Sequence, residues 1–163
     1  MDNFEIPDDV KEKLQNPDVF EQHITEGKPL QEILEFSDET IEIFYQQANA
    51  LYQNHNYIEA IEAFTFLTTI NPFIVNFWIG LGMSEQRLEE YGNAFLAYSM
   101  AMMVDASNPM PHYQTALCYR ALMQPENALE SLELALLHCK DDEWNQIKEK
   151  SILLKNRIMN EAV

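Results

Sequence analysis

The feature that most constrains this chain is that it repeats itself every 34 residues. Taken from the stretch WIGLGMSEQRLEEYGNAFLAYSMAM, Ala94 falls on Ala60 one period earlier and on Ala128 one period later. Gly82 falls on Ala48 and Ala116, Trp78 on Phe44 and His112, and Tyr98 on Phe64 and Leu132. Two columns are held small and two are held large, apart from His112. A chain with such columns is a stack of like units, because one unit cannot bury its apolar face alone.

Small residues 12 positions apart, at Gly82 and Ala94, suit two antiparallel helices that cross closely. The first helix of each unit presents Ala48, Gly82 or Ala116, and the second presents Ala60, Ala94 or Ala128. Large residues at Phe44, Trp78, Phe64 and Tyr98 fill the space between neighbouring units. This period and these columns are the tetratricopeptide signature, so the fold class is all-α: a solenoid of three helix pairs.

The units run over 41–74, 75–108 and 109–142, inside a repeat region at 37–142. Ser37, followed by Asp38 and Glu39, reads as a helix start. Asn71-Pro72 closes the first unit, Pro109 follows the second, and Pro125 opens a helix at a tolerated first-turn position. Residues 143–163 form a C-terminal capping helix, with Trp144, Ile147, Ile152, Leu154 and Ile158 as its apolar pattern. Residues 1–36 form an interrupted helical segment that contains PLQEILEF, and the first ~7 residues are expected to be mobile. An apolar face on PLQEILEF predicts a weak homodimer through residues 8–36, unless that face folds back on the first unit.

The net charge is −17, which repels phosphate backbones and anionic headgroups, so neither nucleic acid nor membrane is an expected partner. The N-terminus lacks the pattern of a signal peptide, and a cytoplasmic protein is expected. Cys118 and Cys139 are expected to be reduced thiols in or near the core. His23, His55, His112 and His138 show no metal-ligand spacing, and no phosphate-binding glycine motif occurs. No acid, base or nucleophile forms a catalytic constellation, so no enzyme activity, metal or cofactor is expected.

What remains is a surface. The first helices of the units line the concave side of such a stack. Their groove-facing positions in the first unit include Tyr45, Asn49 and Tyr52. The second unit supplies Asn76, Ile79, Met83, Gln86 and Arg87. The third supplies Met110, Tyr113, Leu117 and Arg120. A solvated helix face is charged; this one is aromatic, aliphatic, thioether and amide, which suits a groove that holds an extended backbone and fills pockets with its side chains. The competing reading packs some of these residues against the flanking segments. Arg87 and Arg120 either grip a client or pair with nearby glutamates.

The chain resembles the class II chaperones of bacterial type III secretion. The resemblance rests on ITEGKPLQEILEFSDETIEIFYQQANALYQNHNYIEAIEAFTFL and FWIGLGMSEQRLEEYGNAFLAYSMAMMVDASNP, and on three units with N-terminal helices and a C-terminal cap. It implies a non-enzymatic cytoplasmic chaperone that holds hydrophobic translocator proteins before export, through an extended, proline-bracketed segment in its groove. It also implies groove tyrosines at Tyr45, Tyr52 and Tyr57, and self-association through the N-terminal helices. Asn49 stands where the family often has another aromatic. The alternatives are a general tetratricopeptide adaptor or a chaperone for another secreted subunit. An adaptor that reads acidic C-termini needs a clamp of Lys and Arg, where this chain has Tyr45, Asn49, Met110 and Gln114.

Overall fold

The computed structural model describes Ile6 and residues 8–161. The expected mobility of the start of the chain concerns residues that lie almost wholly outside this range. Three N-terminal helices, α1 (Asp8–Leu14), α2 (Pro17–Glu26) and α3 (Leu30–Ile33), lead into three helix pairs. The pairs are α4 (Asp38–Gln53) with α5 (Tyr57–Ile70), α6 (Val75–Arg87) with α7 (Tyr91–Val104), and α8 (Pro109–Ala121) with α9 (Pro125–His138). A 3-10 turn at Asp142–Trp144 precedes α10 (Asn145–Glu161), and no strand occurs among the described residues.

The starts of these helices follow from local chemistry. The Ser37 hydroxyl accepts the Thr40 N–H at 3.1 Å, and Asp38 and Glu39 sit in the first turn, where the exposed amides favour negative charge. Asn108 caps α8 by accepting the Met110 N–H at 3.0 Å, with Pro109 at the position where a missing N–H costs nothing. The turns inside the pairs carry their own repeat. His55, Glu89 and Met123 have φ of 64°, 63° and 57°, and none is a glycine. The next residue in each turn, Asn56, Glu90 or Gln124, donates its N–H back to Leu51, Glu85 or Tyr119. This is the six-to-one bond that closes a helix through a left-handed residue.

The small columns sit where the helices cross. Ala48, Ala60, Ala94, Ala116 and Ala128 are wholly buried. A Cβ on Gly82 would lie 2.5 Å from Tyr98 Cε1. A Cβ on Gly80 would collide with Phe64 of the preceding pair, a requirement outside the repeat columns. Ala94→Leu is expected to lower stability by about 1–3 kcal/mol in denaturant melts, because the crossing has no room for the added methylenes. An unchanged midpoint would overturn the register.

The large columns are filled as expected except at Trp78. Phe44, Phe64 and Tyr98 are buried, whereas Trp78 is half-buried and its Nε1 donates to the Pro72 carbonyl at 2.8 Å. That bond pins the turn between the first two pairs. In the third pair His112 stacks on His138, with centroids 5.3 Å apart and planes 5° from parallel. Burial, and then the His138 ring, hold the His112 imidazole below its ordinary range. The folded chain therefore favours neutral His112. Its contribution is present above about pH 6.5 and is lost as pH falls below that value. His112→Phe, which restores the aromatic column, is expected to flatten the thermal-melt dependence on pH between neutrality and pH ~5.5. An equal slope in both proteins would refute the assignment.

The flanks continue the core. Val10, Leu30 and Leu34 are buried in one cluster with Ile41, Phe44 and Phe66. Phe36 meets Phe44 edge-on at 6.3 Å. Gln31 donates to Asp38 at 2.8 Å and accepts from Asn71 at 2.7 Å, which ties α3 to the ends of α4 and α5. The apolar face of PLQEILEF is thus folded back on the first unit, the alternative arrangement the sequence left open. At the other end, α10 turns Ile147, Ser151, Leu154 and Ile158 inward, at spacings of four, three and four residues. Ile152, expected on that stripe, is instead exposed, because it lies about 100° around the helix from Ser151.

Candidate functional site: the inner face of the helix pairs

The first helices of successive pairs make more contact with one another than the second helices do, so the array curves with α4, α6 and α8 inside. The groove-facing residues of these helices divide into a floor, two recesses and a central aromatic cluster.

The recess at the N-terminal end has a volume of about 270 Å³. Tyr45, Ile74 and Phe77 form its apolar walls, and Asp38, Glu42 and Asn76 form its polar rim. Tyr45 is fixed from behind by Phe64 at 6.2 Å and Phe77 at 5.5 Å. Asn49 donates Nδ2 to the Tyr45 carbonyl of its own helix at 2.9 Å.

The central cluster comes from three helix ends. Tyr52 at the end of α4 meets Tyr57 at the start of α5, with ring centroids 5.6 Å apart. Arg87 at the end of α6 donates Nε to the Tyr57 hydroxyl at 3.0 Å, and its guanidinium lies 5.3 Å from the ring centroid. The Tyr57 hydroxyl also lies 2.6 Å from His55 Nδ1. Arg87 is therefore engaged by a phenol rather than by Glu85, Glu89 or Glu90, and it links the first unit to the second. Burial raises the Tyr52 and Tyr113 hydroxyls above their ordinary range, so both stay neutral hydrogen-bonding groups at any working pH.

The floor is more closed than the sequence suggests. Ile79 is only 8% exposed. Met83 is half-buried against Ala94, Tyr98 and Cys118, and Gln86 accepts the Tyr98 hydroxyl at 2.7 Å. These residues shape the groove mainly by supporting it. Met110, whose sulfur lies 3.8 Å from Gln114 Nε2, and Tyr113 continue the face on α8 as half-buried side chains. Asn76 and Arg87 are exposed.

The recess at the C-terminal end has a volume of about 550 Å³. Leu117, Arg120 and Ala121 of α8 form one wall, Met123 and Pro125 of the turn a second, and Ile158 and Glu161 of α10 the third. Arg120 Nη2 lies 4.0 Å from Glu161 Oε1, with Arg120 half-buried and Glu161 well exposed. An ion pair that long in water is worth little, and a ligand carboxylate can replace Glu161. Sequence reasoning placed Leu117 and Arg120 on this face but not Met123, Pro125, Ile158 or Glu161. Pro125 and the inward stripe of the capping helix were the available signals. One end of the face thus carries carboxylates, and the other a guanidinium beside the Glu161 carboxylate.

Cys118 and Cys139 are free and buried, and burial pushes the Cys118 thiol up to about 12. Among the described residues, no group of three or more His, Cys, Asp or Glu is placed to hold a metal ion, and no helix is long and apolar enough to cross a membrane. What the face offers chemically is apolar recesses with amides, phenols and a few charges at their rims.

No family model matches the chain. It is 30% identical over 84 residues to the low calcium response locus protein H of Yersinia pestis and of Yersinia pseudotuberculosis, a match that covers 52% of this chain and 50% of each relative. The chain therefore spans about half the length of the curated relatives it matches. The type III secretion translocator chaperone SycD of Yersinia enterocolitica superposes with a TM-score of 0.78 at 23% identity, over 80% of this chain and 98% of that one. SycD in complex with a peptide of the translocator YopD superposes with a TM-score of 0.72 at 24% identity, over 79% and 99% of the two chains. The three helix pairs with their N-terminal and C-terminal flanks thus have the fold of the type III secretion translocator chaperones.

Proposed function

We propose that this chain is a cytoplasmic, non-enzymatic type III secretion chaperone, which binds hydrophobic translocator proteins through an extended segment on its inner face and keeps them soluble before export. The observation that carries this reading is the face itself: half-buried aromatic and aliphatic side chains over three first helices, with an apolar recess at each end. In this reading residues 37–142 hold the groove, and residues 1–36 and 143–163 close its two ends. SycD, a protein of the same fold, is known in complex with a translocator peptide, and this supports the choice of client. The charge of −17 keeps a loaded chaperone dispersed while it covers apolar client surface. With no nucleotide motif in the sequence, release falls to competition at the export apparatus.

The test is co-purification of the tagged chain from its source cell, identification of the bound protein, and calorimetric titration with the segment protected from proteolysis. The expected client is a protein with membrane-inserting helices, bound through one extended stretch. A client bound instead through an acidic C-terminus would favour the adaptor reading.

A further inference from the structure

The departures of the third unit from the repeat gather in one place. Counting one period back, His112 stands where the second unit has Trp78, and Thr115 stands where it has Leu81. Glu130 replaces Leu96, and Ser131 replaces Ala97. Each change puts a more polar side chain where the earlier unit has an aliphatic or aromatic one. All four line a depression of about 390 Å³ between α7 and α9, floored by α8. It uses a side of α8 other than the one that carries Tyr113, Leu117 and Arg120, so it is separate from the inner face. Phe95 of α7 and Tyr119 of α8 form its aromatic wall, with ring centroids 4.7 Å apart and planes 35° from parallel.

The polar groups of this depression are left as acceptors. The Ser99 hydroxyl already donates to the Phe95 carbonyl at 2.8 Å, and the Ser131 hydroxyl donates to the Asn127 carbonyl at 2.9 Å. Asn127 Nδ2 donates to Gln124 Oε1 at 2.8 Å, which leaves its own Oδ1 open. Burial, with the His138 ring stacked against it, favours neutral His112, whose ring then keeps one bare nitrogen. The Thr115 hydroxyl is buried without a hydrogen-bond partner, a costly state that a bound donor relieves. The charge is one-sided as well. Among the described residues Glu130 pairs with no base, whereas Glu133 on the same helix is held by Lys155 at 3.0 Å, and no Lys or Arg lines the depression. An aromatic wall, a carboxylate and open acceptors suit a guanidinium, which is planar, permanently charged, rich in donors and without an acceptor. We infer that this depression is a docking site for an arginine side chain of a partner protein. Leu96 and Met103 of α7 and Leu137 of α9 each lie three or four residues from a lining residue of the same helix, and they are 69%, 79% and 62% exposed. Apolar residues on either side of the arginine find contact there, which a small free cation does not use. The site lies off the inner face, so it adds a second partner surface and does not depend on the chaperone reading.

Titration of the full chain with acetyl-Leu-Arg-Leu-amide, followed by nuclear magnetic resonance, tests this. Amide signals around the depression on α7, α8 and α9 are expected to shift, and those of α4 to stay. Binding is expected to weaken as salt rises, and to weaken at least about tenfold when citrulline, uncharged and of the same length, replaces the arginine. Lysine in its place is expected to bind less tightly, because an ammonium lacks the planar fork. Glu130→Leu and Thr115→Leu install the residues of the second unit, and each is expected to weaken binding at least about tenfold with unchanged circular dichroism. Glu126→Gln, outside the depression, is expected to leave binding intact. No shift at millimolar peptide overturns the proposal. So does equal binding of the lysine peptide, the citrulline peptide or free arginine, because general attraction to a charge of −17, or a small-cation site, produces those results. Binding that survives either substitution in the depression, or that Glu126→Gln weakens as much as Glu130→Leu does, overturns it too.

Discussion

Tyr98→Ala is expected to lower the unfolding free energy by about 3–5 kcal/mol. The ring is fully buried, and it lies against Gly82 closely enough that even a Cβ there would clash. Neighbouring backbones at such a crossing cannot collapse into the vacated volume, so the cavity remains and its lining loses contacts on one side. The hydroxyl adds a second effect, because it donates to Gln86 Oε1 at 2.7 Å. Tyr98→Phe isolates that effect and is expected to cost about 1 kcal/mol, the ordinary net value of a partly buried hydrogen bond. Urea melts of the two variants separate ring from hydroxyl. Comparable losses in both would show that the hydrogen bond, rather than the packing at the crossing, sets stability here.

The repeat was legible because two helices can cross closely only over small residues, and that demand recurs once per unit. Ala48, Gly82, Ala116 and their partners Ala60, Ala94 and Ala128 could therefore be read without coordinates. The turn residues could not. His55, Glu89 and Met123 all adopt the left-handed conformation, yet none is the glycine that usually announces it. The repeated element is a backbone conformation, and the side chains that tolerate it differ. Gly80 was illegible for another reason: its neighbour Phe64 belongs to the preceding pair, so the constraint lies between units and leaves no column.

The candidate face was legible in outline and less so in detail. Helical periodicity put Tyr45, Tyr52, Met110, Tyr113, Leu117 and Arg120 on one face, and each is half-buried there. Periodicity gives direction but not depth, so it did not separate Ile79 on the floor from Asn76 at the rim. It also offered nearby glutamates for Arg87 rather than Tyr57, because Tyr57 lies thirty residues away across a unit boundary. The walls of the C-terminal recess come from α8, a turn and α10 together. No single helix pattern contains such a pocket. The fold-back of α3 illustrates the same point: an apolar face is visible in sequence, but what covers it is a tertiary fact.

The sharpest test of the inner face uses the recess that α10 completes. Tyr52→Ala and Tyr113→Ala are expected to weaken client binding, but both side chains also pack against the core, so each variant loses some stability as well. Ala121→Trp avoids that ambiguity. Ala121 is exposed and lines the recess of about 550 Å³, so an indole there fills the space that a client side chain would use and leaves the helix crossings untouched. Burying one client side chain in this recess contributes ~1.5–3 kcal/mol. Blocking it is therefore expected to weaken client binding roughly tenfold to a hundredfold in calorimetry, with an unchanged thermal midpoint. Arg120→Gln is expected to have a smaller effect, because its partner Glu161 holds it only at 4.0 Å in water and a client acid would gain little more there. Moderate salt should change wild-type affinity little, since apolar contacts are not screened as surface charge pairs are. If Ala121→Trp binds the client as the wild-type chain does, or if binding collapses at moderate salt, the contact lies off the inner face and the acidic exterior becomes the surface to map.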